Sequence, residues 1–219
     1  MKYIISTFLK IGKDEHIDRL QKEGILYCNN VKYYRNLERE DILLRKDTAE
    51  GAITTNKIDW MKIFIKEKEL PIKITSARLH TFDREKDLEH IYCMYAITPD
   101  LATGKPFIDD RNVRFGEAGL LIHNPKVFLN KIQKAVRGKF KFEYKPVYYY
   151  PKDQDFNNLS VFTKHESFSY QREFRMLFHY QSAEPLIINI GSLEDISVKI
   201  EANKLSELLL LKEKYVKNS

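Results

Sequence analysis

The side chains with the clearest potential for chemistry lie in the segment 168–180, FSYQREFRMLFHY. If this segment is a strand, its two-residue period places Gln171, Glu173 and Arg175 on one face. An amide that donates and accepts hydrogen bonds then lies beside a carboxylate and a guanidinium. Such a row in a cleft can orient a hydroxyl group and stabilise developing positive charge. The alternative is a solvated sheet surface on which opposite charges pair.

A second group of candidate residues lies between positions 33 and 51, where the sequence is dense in charge and has no clean period. The candidates are Tyr34, Arg35, Arg45, Asp47 and Glu50. Two arginines beside an aromatic ring can bind a pyrophosphate and stack on a base. The alternative is a surface loop with local ion pairs. If the loop folds over Gln171 and Glu173, the two groups form one site for an anionic ligand that carries a ribose.

Two further patterns give other interpretations. The carboxylates Asp47, Glu50 and Glu173, together with Lys164, are compatible with a metal-dependent nuclease, although no histidine or cysteine shows metal-ligand spacing and no metal site is predicted. Residues 131–152 are rich in lysine and alternate with aromatics in KFKFEYK. This basic face predicts either a groove for nucleic-acid phosphates or an amphipathic strand whose lysines are solvated. The aromatics of the alternation are expected to face the core.

The Gln171-x-Glu173 spacing on a strand resembles the third signature of ADP-ribosyltransferases that modify amides or hydroxyls. That resemblance implies that Glu173 holds the nicotinamide ribose of NAD and that Gln171 selects the acceptor. Lys10, with Ser6 and Thr7, lies near the first strand, where the family expects polar or basic residues. The Ser-Thr-Ser form of the second signature does not occur. The cofactor that this resemblance implies is NAD.

A longer resemblance covers most of the chain. The segments EGILYCNNVKYYRN, RKDTAEG, IYCMYAI and KHESFSYQREFRML are similar in order to an uncharacterised bacterial family found among mobile elements and defence-type neighbourhoods. This resemblance implies no established activity, but it implies a role in phage defence or as a toxin. The matching positions are Tyr34, Arg35, Arg45, Asp47, Glu50, Gly51, Met94, Tyr95, Lys164, Glu173 and Arg175.

Composition limits the class of protein. The chain has 219 residues, of which 43% are hydrophobic, so a sizeable core can form and disorder is not expected. A net charge of +6 favours anionic partners. Two cysteines are too few for a disulfide framework, and no apolar run has the length of a membrane span. We therefore expect a cytoplasmic protein without a membrane partner; the sequence does not predict the oligomeric state.

The elements that must position these residues form one α+β domain over residues 1–219, with a largely antiparallel mixed sheet. Strand 2–9, a helix from Asp14 to Gly24 and strand 25–28 make an N-terminal strand-helix-strand unit. Asn124 and Pro125 predict the start of another helix. Further strands are predicted at 72–82, 90–97, 120–123, 139–150, 168–180, 186–190 and 196–200. A final helix is expected from Asn203 onward, and 99–117 is expected to be a long surface loop.

Three classes of function remain open. The first is a nucleotide-binding transferase that moves ADP-ribose from NAD to a macromolecular acceptor, in which Arg35 or Lys10 holds the pyrophosphate. The second is the metal-dependent nuclease. The third is a non-catalytic module that binds nucleic acid or a protein through the basic face 131–152. The predicted catalytic residues are Glu173, Gln171 and Arg175, and the predicted substrate-binding residues are Tyr34, Arg35, Arg45, Asp47, Glu50, Lys164 and Tyr95.

Overall fold

The computed structural model describes residues 5–37, 47–58, 61–71, 77–98, 108–151 and 154–205. Their strands are β1 Thr7–Gly12, β2 Ile25–Asn30, β3 Ala52–Ile58, β4 Phe64–Ile65, β5 Lys68–Glu69, β6 Ala77–Phe82, β7 His90–Ile97, β8 Ala118–Ile122, β9 Phe142–Pro146, β10 Tyr148–Tyr150, β11 Phe156–Asn157, β12 Thr163–His165, β13 Glu173–Phe178, β14 Leu186–Asn189 and β15 Ser197–Glu201. The helices are α1 Asp14–Glu23, α2 Val31–Arg35, α3 Asp110–Val113 and α4 Pro125–Val136.

The fold is α+β, as predicted, and most of its strand pairs are antiparallel. The main sheet has the order β14-β2-β7-β1-β8-β15, and β13 and β9 extend it from the other edge of β7. A three-stranded sheet, β11-β3-β6, lies beside it, and β10 pairs with β12 in parallel. The short strands β4 and β5 form a separate hairpin.

Strand β7 has three neighbours, and this opens a fork in the main sheet. One edge pairs with β13 from Tyr95 to His90. The opposite edge pairs with β2 at Ile91 and His90 and with β1 at Tyr95, Ala96 and Ile97. The middle of that edge, around Cys93, therefore lies between β1 and β2, which diverge from each other. Helix α1 connects the two arms of the fork.

The N-terminal strand-helix-strand unit forms for the reasons that its sequence predicts. Acidic Asp14 and Glu15 occupy the first turn of α1, where the helix dipole favours negative charge. Ile17 and Leu20 lie one turn apart and are buried in the main core. Gly24 ends the helix with a φ of 68°, in the left-handed region that glycine adopts without strain.

Helix α4 covers the same core. The side chain of Asn124 accepts a hydrogen bond from the backbone N–H of Val127, which confirms the predicted cap. Phe128 and Ile132 are fully buried in the main core, where the ring of Phe128 packs edge-on against Phe8 of β1. The predicted helix start is therefore correct.

The single strand predicted for 168–180 is wrong. Residues Glu166–Gln171 form a 3-10 helix, which His165 caps through a hydrogen bond from the N–H of Ser167. Arg172 then turns the chain with a φ of 40°, and the strand starts only at Glu173. The alternation of side chains before Glu173 thus imitates a strand period without forming one. Gln171 is not on the strand that carries Glu173.

Two other predicted elements differ from those in the structure. The strand predicted for 139–150 is divided at Val147, because β9 pairs with β13 whereas β10 pairs with β12 in another sheet. Part of the predicted loop 99–117 is helical, in α3. The predicted C-terminal helix lies outside the described residues, apart from a 3-10 turn at Ala202–Lys204.

Candidate functional site

The centre of the site is a buried network of charged side chains on β13 and on the turn before β3. Arg175 is 1% exposed, and its guanidinium donates to both carboxylate oxygens of Glu50, at 2.6 and 2.8 Å. Its Nε donates to Oε2 of Glu173 at 2.7 Å, and it also donates to the carbonyl of Val161. Arg175 therefore joins two carboxylates that are distant in sequence, with the fork geometry that guanidinium groups favour.

Lys164 completes the network from β12. Its ammonium donates to Oε1 of Glu173 at 2.7 Å and to Oε1 of Gln171 at 2.8 Å. The turn at Arg172 lets Gln171 and Glu173 converge on this one ammonium group, although they lie on different elements. Gln171 and Glu173 are thus brought together by the turn at Arg172 and not by strand alternation.

Burial and ion pairing shift the pKa values of the two glutamates in opposite directions. Burial alone would raise the pKa of Glu173, but Arg175 and Lys164 hold that pKa well below its usual range. Burial raises the pKa of Glu50 above its usual value, because the attraction of Arg175 does not fully offset the loss of water. Glu173 is therefore the carboxylate of the pair that stays ionised over the widest pH range.

The turn that carries Glu50 is held in place by Arg35. The guanidinium of Arg35 donates to the carbonyl of Glu50 at 2.9 Å and to Asp87 at 2.8 Å, and it lies 3.9 Å above the ring of Phe82. Asp47 is buried and accepts from the N–H of Ala49 within the same turn. Arg35 and Asp47 therefore position Glu50, and among the described residues neither lines the cavity described next.

A cavity of about 610 Å³ lies in the fork between β1 and β2 and extends to the network. Lys10 occupies the fork: its ammonium donates to the carbonyl of Cys93 at 2.8 Å and lies 4.2 Å from the ring centroid of Tyr92. Glu50, Lys164, Gln171, Glu173 and Arg175 all line the inner part of the cavity. Tyr27 and Tyr33, which are exposed, lie where it opens to solvent.

Most of the predicted site residues lie together. The predicted members that line the cavity are Glu173, Gln171, Arg175, Lys164, Glu50, Tyr34 and Tyr95. Burial raises the pKa of Tyr95 to about 12, so its phenol remains a hydrogen-bond donor. Arg35 does not reach the cavity, and Arg45 lies outside the described residues.

The sequence did not indicate several residues that line the cavity. Lys13 directly precedes α1 and Arg19 lies on it, and the helical pattern predicts buried positions but not which polar residues face a cavity. Asn112 is buried and donates to the carbonyl of Tyr170, which ties α3 to the 3-10 helix. Nothing in the aperiodic segment around Asn112 could have identified it.

Two features of the structure concern the metal-dependent nuclease and the basic face 131–152. Arg175 lies between Glu50 and Glu173, where a divalent ion would have to lie, and the described ranges hold no group of three or more His, Cys, Asp or Glu side chains arranged for a metal. In the basic segment, Phe140 and Phe142 pack against the main core as expected, but Tyr144 is exposed. Glu143 there pairs with Lys141 and with His179, which reduces the positive charge of this face.

Comparison of the chain with models of protein families, with curated proteins and with solved structures gives no match in any of the three. Within the part of the chain that the structure describes, no helix has the length and apolar character needed to cross a membrane. A functional assignment therefore has to rest on the chemistry of the site.

Proposed function

We propose that the cavity in the fork binds an anionic nucleotide, and that NAD is the ligand whose ADP-ribosyl group is transferred to a macromolecular acceptor. The observation that carries the proposal is the combination of tyrosine rings and cationic side chains around a buried, ionised glutamate. Cavities of about 300–1,000 Å³ are typical of small-molecule sites, and this cavity of about 610 Å³ lies within that range.

Charge supports an anionic ligand. The described residues that line the cavity include five cationic side chains, Lys10, Lys13, Arg19, Lys164 and Arg175. They include only two carboxylates, Glu50 and Glu173. The surplus of positive charge favours phosphate groups, and the excess is greatest on α1 and β1, away from the network.

The aromatic residues support a ligand with a ring. Tyr27, Tyr33, Tyr34, Tyr92 and Tyr95 line the cavity. A base stacked on an aromatic side chain gains on the order of 1–3 kcal/mol, and the gain depends little on which base it is. Phosphate and ring together define a nucleotide better than either does alone.

The network supports transfer chemistry at a ribose. In the proposed reaction the bond from ribose C1′ to the nicotinamide nitrogen breaks, and its electron pair leaves with nicotinamide. The acceptor then bonds to C1′ and releases its proton to solvent. The carboxylate of Glu173 has lone pairs beyond those used by Lys164 and Arg175, so it can accept a hydrogen bond from a ribose hydroxyl.

Gln171 and Lys10 have distinct roles in this proposal. The amide oxygen of Gln171 is held by Lys164, which fixes the amide beside Glu173 to orient the acceptor. Lys10, in the fork, is placed to contact the pyrophosphate. Arg35 acts in this proposal through the Glu50 turn, which its guanidinium holds, rather than through the ligand.

Titration calorimetry with NAD and AMP tests the binding step. Both ligands are expected to bind the wild type, and Lys10→Met is expected to weaken both by about tenfold, the effect of one charge-assisted hydrogen bond. Lys131→Met is the matched control, because Lys131 donates to the carbonyl of Ser192 outside the cavity. No heat and no change in melting temperature at millimolar NAD would overturn the proposal.

Release of nicotinamide from NAD tests the chemical step. Glu173→Gln is expected to abolish release while NAD binding changes little, since the amide keeps the shape of the carboxylate. Glu89→Gln is the control, because Glu89 is equally buried but pairs with His179 away from the cavity. Equal release by wild type and Glu173→Gln would remove Glu173 from the reaction and leave nucleotide binding to stand alone.

A further inference from the structure

An apolar ledge borders the mouth of the cavity. Tyr27 on β2 and Ile187 on the edge strand β14 lie directly opposite each other in the antiparallel register. Their side chains are 54% and 59% exposed, and both line the cavity. Directly opposed residues of an antiparallel pair place their Cβ atoms about 4.5–5.5 Å apart on the same face, so the two side chains form one continuous surface.

The ledge is distinct from the inner part of the cavity. The neighbours of Tyr27 on its own strand, Leu26 and Cys28, are buried in the main core, whereas Tyr27 faces the cavity mouth and solvent. The inner part contains Lys164, Gln171 and Glu173, which are almost completely buried. One cavity therefore offers an enclosed polar part and an open aromatic part.

Cationic side chains line the same cavity as the ledge. Lys13, which precedes α1, and Arg19 of α1 contribute, together with Lys10 in the fork. Within the described residues, Arg19 has only a loose contact of 3.9 Å with Glu23, and the ammonium of Lys13 forms no ion pair. A ligand with two rings joined by phosphates would satisfy both parts of the cavity and these charges at once.

We infer that the ledge is the subsite for the outer, adenine ring of the dinucleotide, which stacks on Tyr27 against Ile187 while the nicotinamide ribose lies in the enclosed part. The inference rests on the proposed nucleotide binding and extends it to the place of the second ring. The partner of the ledge is the outer ring of the ligand, because positive charge and aromatic surface occur together here and continue into the enclosed part.

Calorimetric titration of the intact protein with NAD and with nicotinamide mononucleotide tests the inference. In Tyr27→Ala, NAD affinity is expected to fall on the order of tenfold, the effect of one lost stacking contact. Nicotinamide mononucleotide carries only the ring that the proposal assigns to the enclosed part beside Glu173, so its affinity is expected to change less than about twofold. Tyr27→Phe keeps a ring and is expected to bind NAD as the wild type does. Tyr148→Ala is the matched control, because Tyr148 is 60% exposed and is not a lining residue of the cavity.

Each outcome has a separate meaning. Binding of nicotinamide mononucleotide and NAD by the wild type, with no selective loss of NAD in a folded Tyr27→Ala variant, would overturn the ledge inference alone. Equal losses of both ligands would also overturn it, because a single ring would then use Tyr27. Failure of the wild type to bind either ligand would overturn the proposed function.

Discussion

Arg175 offers the sharpest perturbation of the network. Replacing it with methionine removes the charge but keeps an unbranched side chain that can fill the space of its stem. The change leaves the carboxylates of Glu50 and Glu173 buried, with Lys164 as the remaining cation of the network. The protein must then protonate one carboxylate, admit water or lose stability.

The expected loss follows from the contacts. Arg175 donates two hydrogen bonds to Glu50 and one to Glu173, all between 2.6 and 2.8 Å. Removing one partner of a buried ion pair costs about 3–5 kcal/mol, because the other charge stays buried. At an m value of about 2 kcal/mol/M, the midpoint of urea unfolding should fall by about 1.5–2.5 M.

Urea unfolding followed by circular dichroism checks this loss, and a double-mutant cycle with Glu50→Leu separates pairing from burial. The double variant removes both charges, so it should lose about 1–3 kcal/mol less than the sum of the single variants. Arg111→Met is the control, since Arg111 forms an exposed pair with Asp109 and should lose at most about 1 kcal/mol. Equal losses in Arg175→Met and Arg111→Met, or strict additivity in the cycle, would refute the reasoning.

Glu173, Gly51 and Asn124 give three further predictions on stability. The pKa of Glu173 is lower in the folded protein than its value of 4.5 in the unfolded chain, so the ionised carboxylate stabilises the fold above pH 4.5 and this stabilisation is lost in acid. Denaturation at several pH values should therefore show that the difference in unfolding free energy between the wild type and Glu173→Gln narrows as the pH falls. A difference that widens would contradict this. Gly51→Ala should lower the unfolding free energy by about 2 kcal/mol or more, and Gly138→Ala by about 1 kcal/mol. Both have positive φ, but only a Cβ at Gly51 would lie within 2.4 Å of a neighbour, and equal losses would show that crowding is unimportant. Asn124→Ala should lower the melting temperature through a loss of about 1 kcal/mol, and an unchanged value would remove the cap from the account.

The sequence was sufficient to predict those elements whose formation depends on residues close to one another in the chain. The amphipathic stripe of α1, its glycine stop and the cap of α4 depend on neighbours within a few residues. The all-buried strand β13 was also found, because Glu173 and Arg175 alternate there with apolar side chains. The same two-residue period wrongly predicted that the strand continues through Arg172. A left-handed turn changes the direction of the chain there, and no glycine indicates it in the sequence.

Long-range partners could not be predicted in the same way. The pairing of Glu50 with Arg175 joins positions 125 residues apart, and a carboxylate in a charge-dense loop has the same sequence signal whether it is solvated or buried. The contacts of Arg35 were equally hidden, because its guanidinium donates to the carbonyl of Glu50 and stacks on Phe82, and neither partner can be identified from the sequence around Arg35. The fork itself follows from which strand pairs with each edge of β7, and a single sequence does not record this.

The most direct test of nucleotide binding in the fork is hydrogen-exchange mass spectrometry of the whole protein with and without saturating NAD. Slower exchange is expected in peptides that cover 10–13, 25–29, 91–95 and 171–175, because the ligand would contact these lining segments. Peptides of the basic strand, 139–146, should be unchanged. Protection confined to 139–146, or no protection anywhere at saturating NAD, would contradict the account.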